Sequence, residues 1–202
     1  MPYVEGYGTW PFGEEWLWEA MATSYLPLLD VLADAPELTL SVTPVLADQL
    51  AARGVAERFE AFVRDVRSET HRRDIAAVTD PAAARELERS AGDYEAALER
   101  LRALGGDLLG AFMRHAAWTS SATHAVLPLL ATDAGVRLQV RTGIDAHRAR
   151  AARPWRGGFW SPECAHAPWL DPLLAEAGVR ATCVDLTDVL GYGSEAHLRP
   201  IR

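Results

Sequence analysis

The chain has 202 residues, 49% hydrophobic and 24% charged, enough to bury a sizeable core and typical of an ordinary soluble globular protein rather than a disordered or fibrous one. Twenty Lys and Arg face 28 Asp and Glu, and the net charge of −8 disfavours phosphate backbones and anionic lipid surfaces, hence nucleic-acid and membrane partners. The two cysteines, Cys164 and Cys183, lack CxxC spacing and suit a reducing cytoplasm. The N-terminus has no basic-then-apolar leader, and no window reaches the roughly 18 apolar residues of a membrane span.

Residues 1–13, rich in Gly, Pro and aromatics, read as a loop. From Glu14 to about Ala35 the residues Trp18, Met21, Tyr25, Leu28, Leu29 and Leu32 recur at helical spacing, with Pro27 expected to bend or break the helix. "ELTLSVTP" places Leu38, Leu40 and Val42 on one face of a short strand, and a helix follows over about Val45–Arg53. The charged, Ala-rich tract from Gly54 to Leu104 predicts two helices, broken at "TDPAA", where Thr79 or Asp80 caps the second and Pro81 starts it. This pair is expected as a hairpin or helical insertion with a solvated charged face. Beyond Gly105–Gly106 come the helix "DLLGAFMRHAA", a strand over "WTSSAT" and the segment "HAVLPLL". A basic amphipathic helix over 134–152, a short buried strand "GGFW" at 157–160, a helix from Trp169 stopped by Gly178, and the strand "VRATCVDL" complete the reading. Strands near 38–42, 117–122, 157–160 and 181–185 alternating with helices predict a parallel α/β fold, whose functional residues collect beyond the strand C-termini.

Glu163 lies just beyond "GGFW" in a Pro-containing loop, flanked by Trp160 and Trp169, whose indole faces suit the apolar C–H surface of sugar rings. By position alone it is equally a catalytic carboxylate and a cap for the next helix. His124 holds the corresponding place after "WTSSAT", and His124, His166 and Glu163 together also fit a divalent metal site, without the HxH or HxxxH spacing that would strengthen it. Asp185 is a third polar group at a strand end, with hydrogen bonding to loop amides as its simpler role; His71, His115, His147 and His197 read as surface residues. Cys164 has no His/Asn relay in the sequence, and there is no GxGxxG after a strand, no P-loop and no GxSxG elbow.

The segments "MPYVEG…EEWLWEAMATSYLPLLDVL", "LTLSVTPVLADQL", "SSATHAVLPLL" and "GGFWSPECAHAPWLDPLLAEAGVRATCVD", in this order and spacing, resemble the N-terminal part of the catalytic domain of glycoside hydrolase family 57, particularly its 1,4-α-glucan branching enzymes. The most specific block is "WSPECAH", similar to the family's W-x-P-E-C-A-Y, with His166 in place of the tyrosine. The resemblance implies an incomplete (β/α)7-type barrel with parallel strands, here truncated at both ends, as one partial domain over 1–202 with a helical insertion at about 54–104. It implies a retaining mechanism without metal or other cofactor, in which Glu163 is the nucleophile and His124, Trp160, His166 and Trp169 hold the α-1,4-glucan. The acid/base partner, an aspartate of a later family motif, has no match before Arg202, so the isolated chain is expected to be inactive. The open sheet edges are expected to allow self-association. A metal-dependent polysaccharide deacetylase-like barrel and an inactive glucan-binding fragment are the alternatives.

Overall fold

The structure, a computed structural model, describes residues 2–8 and 13–195; Met1, residues 9–12 and residues 196–202, with His197 among them, lie outside the described residues, and with them part of the loop expected over 1–13. In chain order the elements are α1 (Glu15–Ala20), a π-helical turn (Met21–Tyr25), α2 (Leu26–Asp34), β1 (Leu40–Ser41), α3 (Pro44–Leu50), α4 (Val55–Ala61), a second π-helical turn (Phe62–Arg67), α5 (Ser68–Ala77), α6 (Pro81–Ala103), α7 (Leu108–Met113), β2 (Ala116–Ser120), α8 (Asp133–Arg148), β3 (Gly158–Trp160), α9 (Asp171–Glu176), β4 (Ala181–Cys183) and α10 (Leu186–Leu190). The chain divides into two compact units, Met1–Leu38 with Asp48–Phe112, and Thr39–Ala47 with Met113–Arg202.

The first unit is helical. Pro27 does not break the helix: the π turn immediately before it absorbs the amide that proline cannot donate, and Leu26 N bonds Met21 O across the wide turn. The extra residue also advances the apolar face, so Leu26 rather than Tyr25 follows Leu17, Trp18, Met21 and Ala22 into the core. The two helices expected over 54–104 are present. The first runs through α4, the π turn and α5; the second is α6, started by Pro81 and capped by Asp80, whose Oδ1 accepts from Ala82 N at 3.0 Å. Phe59, Phe62 and Val63 are buried, as are Tyr94, Ala97, Leu98 and Leu101 of α6. The outer faces carry exposed ion pairs such as Arg72 and Arg73 with Glu69, each contributing little to stability. His71 departs from the surface role expected of it: it is buried edge-on against the Tyr94 ring at 5.3 Å, with Nε2 3.3 Å from Ser90 Oγ.

The second unit holds a four-stranded sheet in the order β1-β2-β3-β4, every neighbouring pair parallel. Strand order that follows chain order is a single winding, as in a barrel wall, and not the reversal of a doubly wound sheet. Register pairs Ser120 with Trp160 and Trp160 with Cys183, so three strands stop at one level. β1 is shorter than the alternation of Leu38, Leu40 and Val42 suggests: Leu38 is exposed and only Leu40–Ser41 pair with β2. Against the sheet pack Val136, Val140 and Ile144 of α8 with Phe159, Leu127, Leu170, Leu173 and Leu174. His147 lies on the same α8 stripe, three residues after Ile144, and is buried rather than on the surface as expected. Glycine permits close contacts here: a Cβ on Gly158 would fall 2.7 Å from the Trp118 ring, and one on Gly143 2.1 Å from Ser120 O.

Candidate active site

Beyond β3 the chain enters Ser161, fully buried, whose hydroxyl pairs with Thr182 Oγ1 at 2.9 Å and so ties the loop to β4. Pro162 opens a single 3-10 turn through Cys164, closed by Cys164 N on Ser161 O (2.9 Å) and Ala165 N on Pro162 O (3.1 Å). Within it Glu163 (φ 58°) and Cys164 (φ 54°) both adopt the left-handed conformation. The only other non-glycine residue with positive φ among the described residues is His124 (φ 58°). Each such residue costs on the order of 1 kcal/mol, and strain of this kind persists where the surroundings impose it for function.

His124 is set by β2. Ser120 Oγ donates to Trp160 O (2.9 Å), joining the ends of β2 and β3, and Ser121 Oγ donates to Ala125 O (3.2 Å), closing the loop around His124. Gln139 of α8 holds the same loop, its Oε1 accepting from Thr123 N (3.0 Å) and Thr123 Oγ1 (3.2 Å) while its carbonyl accepts from Ala122 N (3.0 Å). The outcome is a side-chain contact between neighbouring strand ends: the His124 Nε2–H donates to Glu163 Oε1 over 3.2 Å. Glu163 does not cap the helix that follows, since neither the Pro168–Leu170 turn nor α9 takes a side-chain cap. The Glu163 side chain is 71% exposed and that of His124 45%, so the pair faces solvent and adds little to stability while orienting a carboxylate outward.

The other expected site residues are placed as follows. Trp160 ends β3 and Trp169 sits in the Pro168–Leu170 turn, both exposing part of the indole. His166 meets Asp171 at 2.8 Å rather than Glu163, so the two histidines and the carboxylate do not gather, and among the described residues no three His, Cys, Asp or Glu converge as a metal site. Burial, then the neighbouring Cys183, Asp185 and Glu163, push the Cys164 thiol up, away from the thiolate a nucleophile requires. Asp185 takes the simpler role, its Oδ1 accepting from Thr187 N (2.7 Å) and Thr187 Oγ1 (2.6 Å) at the start of α10, while its own amide donates to Cys164 O (3.3 Å). Among the described residues no helix is long and apolar enough to cross a membrane. Sequence reasoning missed the supports: Ser121, Gln139, the Ser161–Thr182 pair and Asp171. Of these only Ser161, small and polar between a strand and a Pro turn, carries a local signal.

A singly wound parallel sheet that holds a His-paired carboxylate beyond neighbouring strand C-termini, with indole faces exposed nearby, has the layout of an α/β-barrel glycoside hydrolase. Residues 117–202 match the family model of glycosyl hydrolase family 57. The chain is 31% identical to a 1,4-alpha-glucan branching enzyme of Thermococcus kodakarensis over 83% of this chain and 26% of that protein. It is 32% identical to a probable 1,4-alpha-glucan branching enzyme of Mycobacterium tuberculosis over 100% of this chain and 42% of that protein. Among solved structures, the family 57-type branching enzyme of Pyrococcus horikoshii superimposes with a TM-score of 0.78 at 30% identity, covering 90% of this chain and 39% of that one. The alpha-amylase AmyC of Thermotoga maritima gives 0.76 at 26% identity, covering 90% and 37%. The chain is thus similar to glycosyl hydrolase family 57 over residues 117–202, and its four parallel strands correspond to part of the (β/α)7-type barrel of the family 57 enzymes on which it superimposes. It spans 26% to 42% of the length of these curated relatives.

Proposed function

We propose that the chain carries the nucleophile region of an α-1,4-glucan branching enzyme, with Glu163 as nucleophile. The carrying observation is the pair itself: an exposed carboxylate that accepts from His124 over 3.2 Å, both residues in the left-handed conformation, at the ends of adjacent parallel strands. A Glu163 oxygen attacks the anomeric carbon as the C1–O bond of an α-1,4 linkage breaks, and the departing oxygen takes a proton from an acid. The covalent glucosyl ester then passes to a 6-hydroxyl, which gives up its proton to the same group acting as base. Such a retaining pair stands roughly 5–5.5 Å apart. His124 fixes the attacking oxygen, and Trp160, Trp169 and His166 bind the glucan.

In the same reading the sheet unit is the barrel portion of one catalytic domain, and the helices of residues 54–104 are an insertion into it. The enzyme works on glycogen-type polymer in the cytoplasm, where two unpaired thiols persist. The outer strands β1 and β4 are where further barrel strands, or a second copy, pair. The comparisons favour branching over the deacetylase-like alternative.

The test joins the chain to the C-terminal remainder of a branching-enzyme relative and measures α-1,6 linkages formed on amylose, with Glu163 intact and as Glu163→Gln. The expected result is a loss of at least about 1,000-fold in the variant, in line with removal of a covalent nucleophile. Comparable branching by both proteins overturns the assignment.

A further inference from the structure

At the N-terminal ends of β3 and β4, the far side of the sheet from Glu163, lies a cavity of about 450 Å³ lined by Arg148, Trp155, Arg156, Gly157, Gly178 and Arg180. Its walls are built. Trp155 Nε1–H donates to Gly158 O (2.9 Å), fixing the indole, and the Arg148 guanidinium lies 5.1 Å above the ring. Gly157, at φ +96°, turns its carbonyl to accept from Arg180 N (2.8 Å) and Ala181 N (3.2 Å). The Arg180 stem rests on that bare glycine, where a Cβ would stand 2.6 to 3.0 Å from its carbons.

The charge here is unbalanced. Farther along α8, Arg137 (3.0 Å) and Arg141 both pair with Glu176. Arg148 has only Asp145 at 3.6 Å, and Arg156 and Arg180 have no carboxylate partner among the described residues. In a chain of net charge −8, three solvent-exposed arginines grouped around one open hollow make a local positive patch that attracts anions. Guanidinium forks match phosphate oxygens in bidentate fashion, and the volume falls in the range of small-molecule sites.

We propose that this cavity binds a phosphate-bearing small molecule, at a site separate from Glu163. The shared chemistry is a phosphate dianion, free as a diphosphate or carried on a sugar.

The test titrates the 202-residue chain at constant ionic strength with pyrophosphate, glucose 1-phosphate and glucose, read by calorimetry and tryptophan fluorescence. Saturable binding of pyrophosphate, of glucose 1-phosphate or of both, with none of glucose, is expected; which of the two binds identifies the source. Arg156→Gln with Arg180→Gln should raise Kd at least tenfold at an unchanged circular dichroism spectrum, and Trp155→Phe should remove the fluorescence response. Arg180→Gln alone, expected to raise Kd at least threefold, serves if the double variant misfolds. Absence of saturable binding by both phosphate compounds, equal affinity for glucose, or affinity unaltered by the arginine changes overturns the proposal.

Discussion

Replacing Gly143 with alanine tests whether α8 is set against the end of β2 by the absence of a side chain. In an exposed helix this change favours the folded state by up to about 1 kcal/mol through helix propensity. Here the new Cβ would sit 2.1 Å from Ser120 O, 3.2 Å from Ser120 C and 3.3 Å from Ala122 N, so α8 or the strand end must retreat by about 1 Å. That movement strains the Thr119 Oγ1 bond to Gly143 O (3.2 Å) and the Ala122 N bond to Gln139 O (3.0 Å), in a core where both Thr119 and Ser120 are fully buried. Overpacking of this kind costs about 1–3 kcal/mol and each of the two weakened hydrogen bonds about 1 more, so after the gain of about 1 kcal/mol in helix propensity a net loss of about 2–4 kcal/mol is expected. Gly92→Ala on α6, where a Cβ meets nothing within 4 Å, is the control and should be stabilising. Urea unfolding read by tryptophan fluorescence, at constant m, measures both. A Gly143→Ala midpoint equal to or above that of the parent chain refutes the close-approach reasoning, and with it the account of how Gln139 holds the His124 loop.

His147 is buried with its Nδ1 lacking a partner among the described residues, and burial lowers its pKa below the ordinary 6.5. The unfolded chain therefore binds the proton more readily, and stability is complete above pH 6.5 and falls as pH drops below it; His147→Leu should flatten that limb of the urea midpoint against pH. Because burial raises the Cys164 thiol, iodoacetamide at neutral pH should alkylate it more slowly than a free cysteine, the rate rising steeply in alkali; labelling as fast as the free amino acid refutes the placement. Asp80→Ala removes the carboxylate that caps α6 and should destabilise the helical unit by about 1 kcal/mol, with Asp80→Ser near neutral in the same assay.

Much of the sheet could be read along the chain. β3 falls within "GGFW", β4 within "VRATCVDL", and Glu163 lies three residues past Trp160 as the loop pattern implies. What brings His124 to Glu163, 39 residues away, is not local: it is the parallel pairing of Ser120 with Trp160, which places two loops side by side. The left-handed turn at Glu163–Cys164 was illegible for a related reason, since no glycine or asparagine marks it and the surrounding bonds of Ser161 and Asp185 impose it. His147 could have been found: counting from Val136, Val140 and Ile144 puts it on the buried stripe of α8, whereas its arginine neighbours suggested the surface. Pro27 shows the opposite case, because a π turn that rescues a helix has no sequence signature here beyond the proline itself. The pairing of His166 with Asp171 depends on how the Pro168–Leu170 turn folds back, which residue types alone do not specify.

The central claim is that Glu163 is a nucleophile toward an anomeric carbon, and it can be tested without the acid/base partner. An α-glucosyl fluoride carrying a second ring fluorine supplies a leaving group that needs no protonation: a Glu163 oxygen bonds C1, the C1–F bond breaks, and fluoride departs, leaving an ester that hydrolyses slowly. Intact-mass analysis and peptide mapping after incubation should place one fluoroglucosyl group on Glu163, in the peptide over 157–170, and none in Glu163→Gln. An adduct on another residue with Glu163 unmodified, or equal labelling of the Gln variant, contradicts the account.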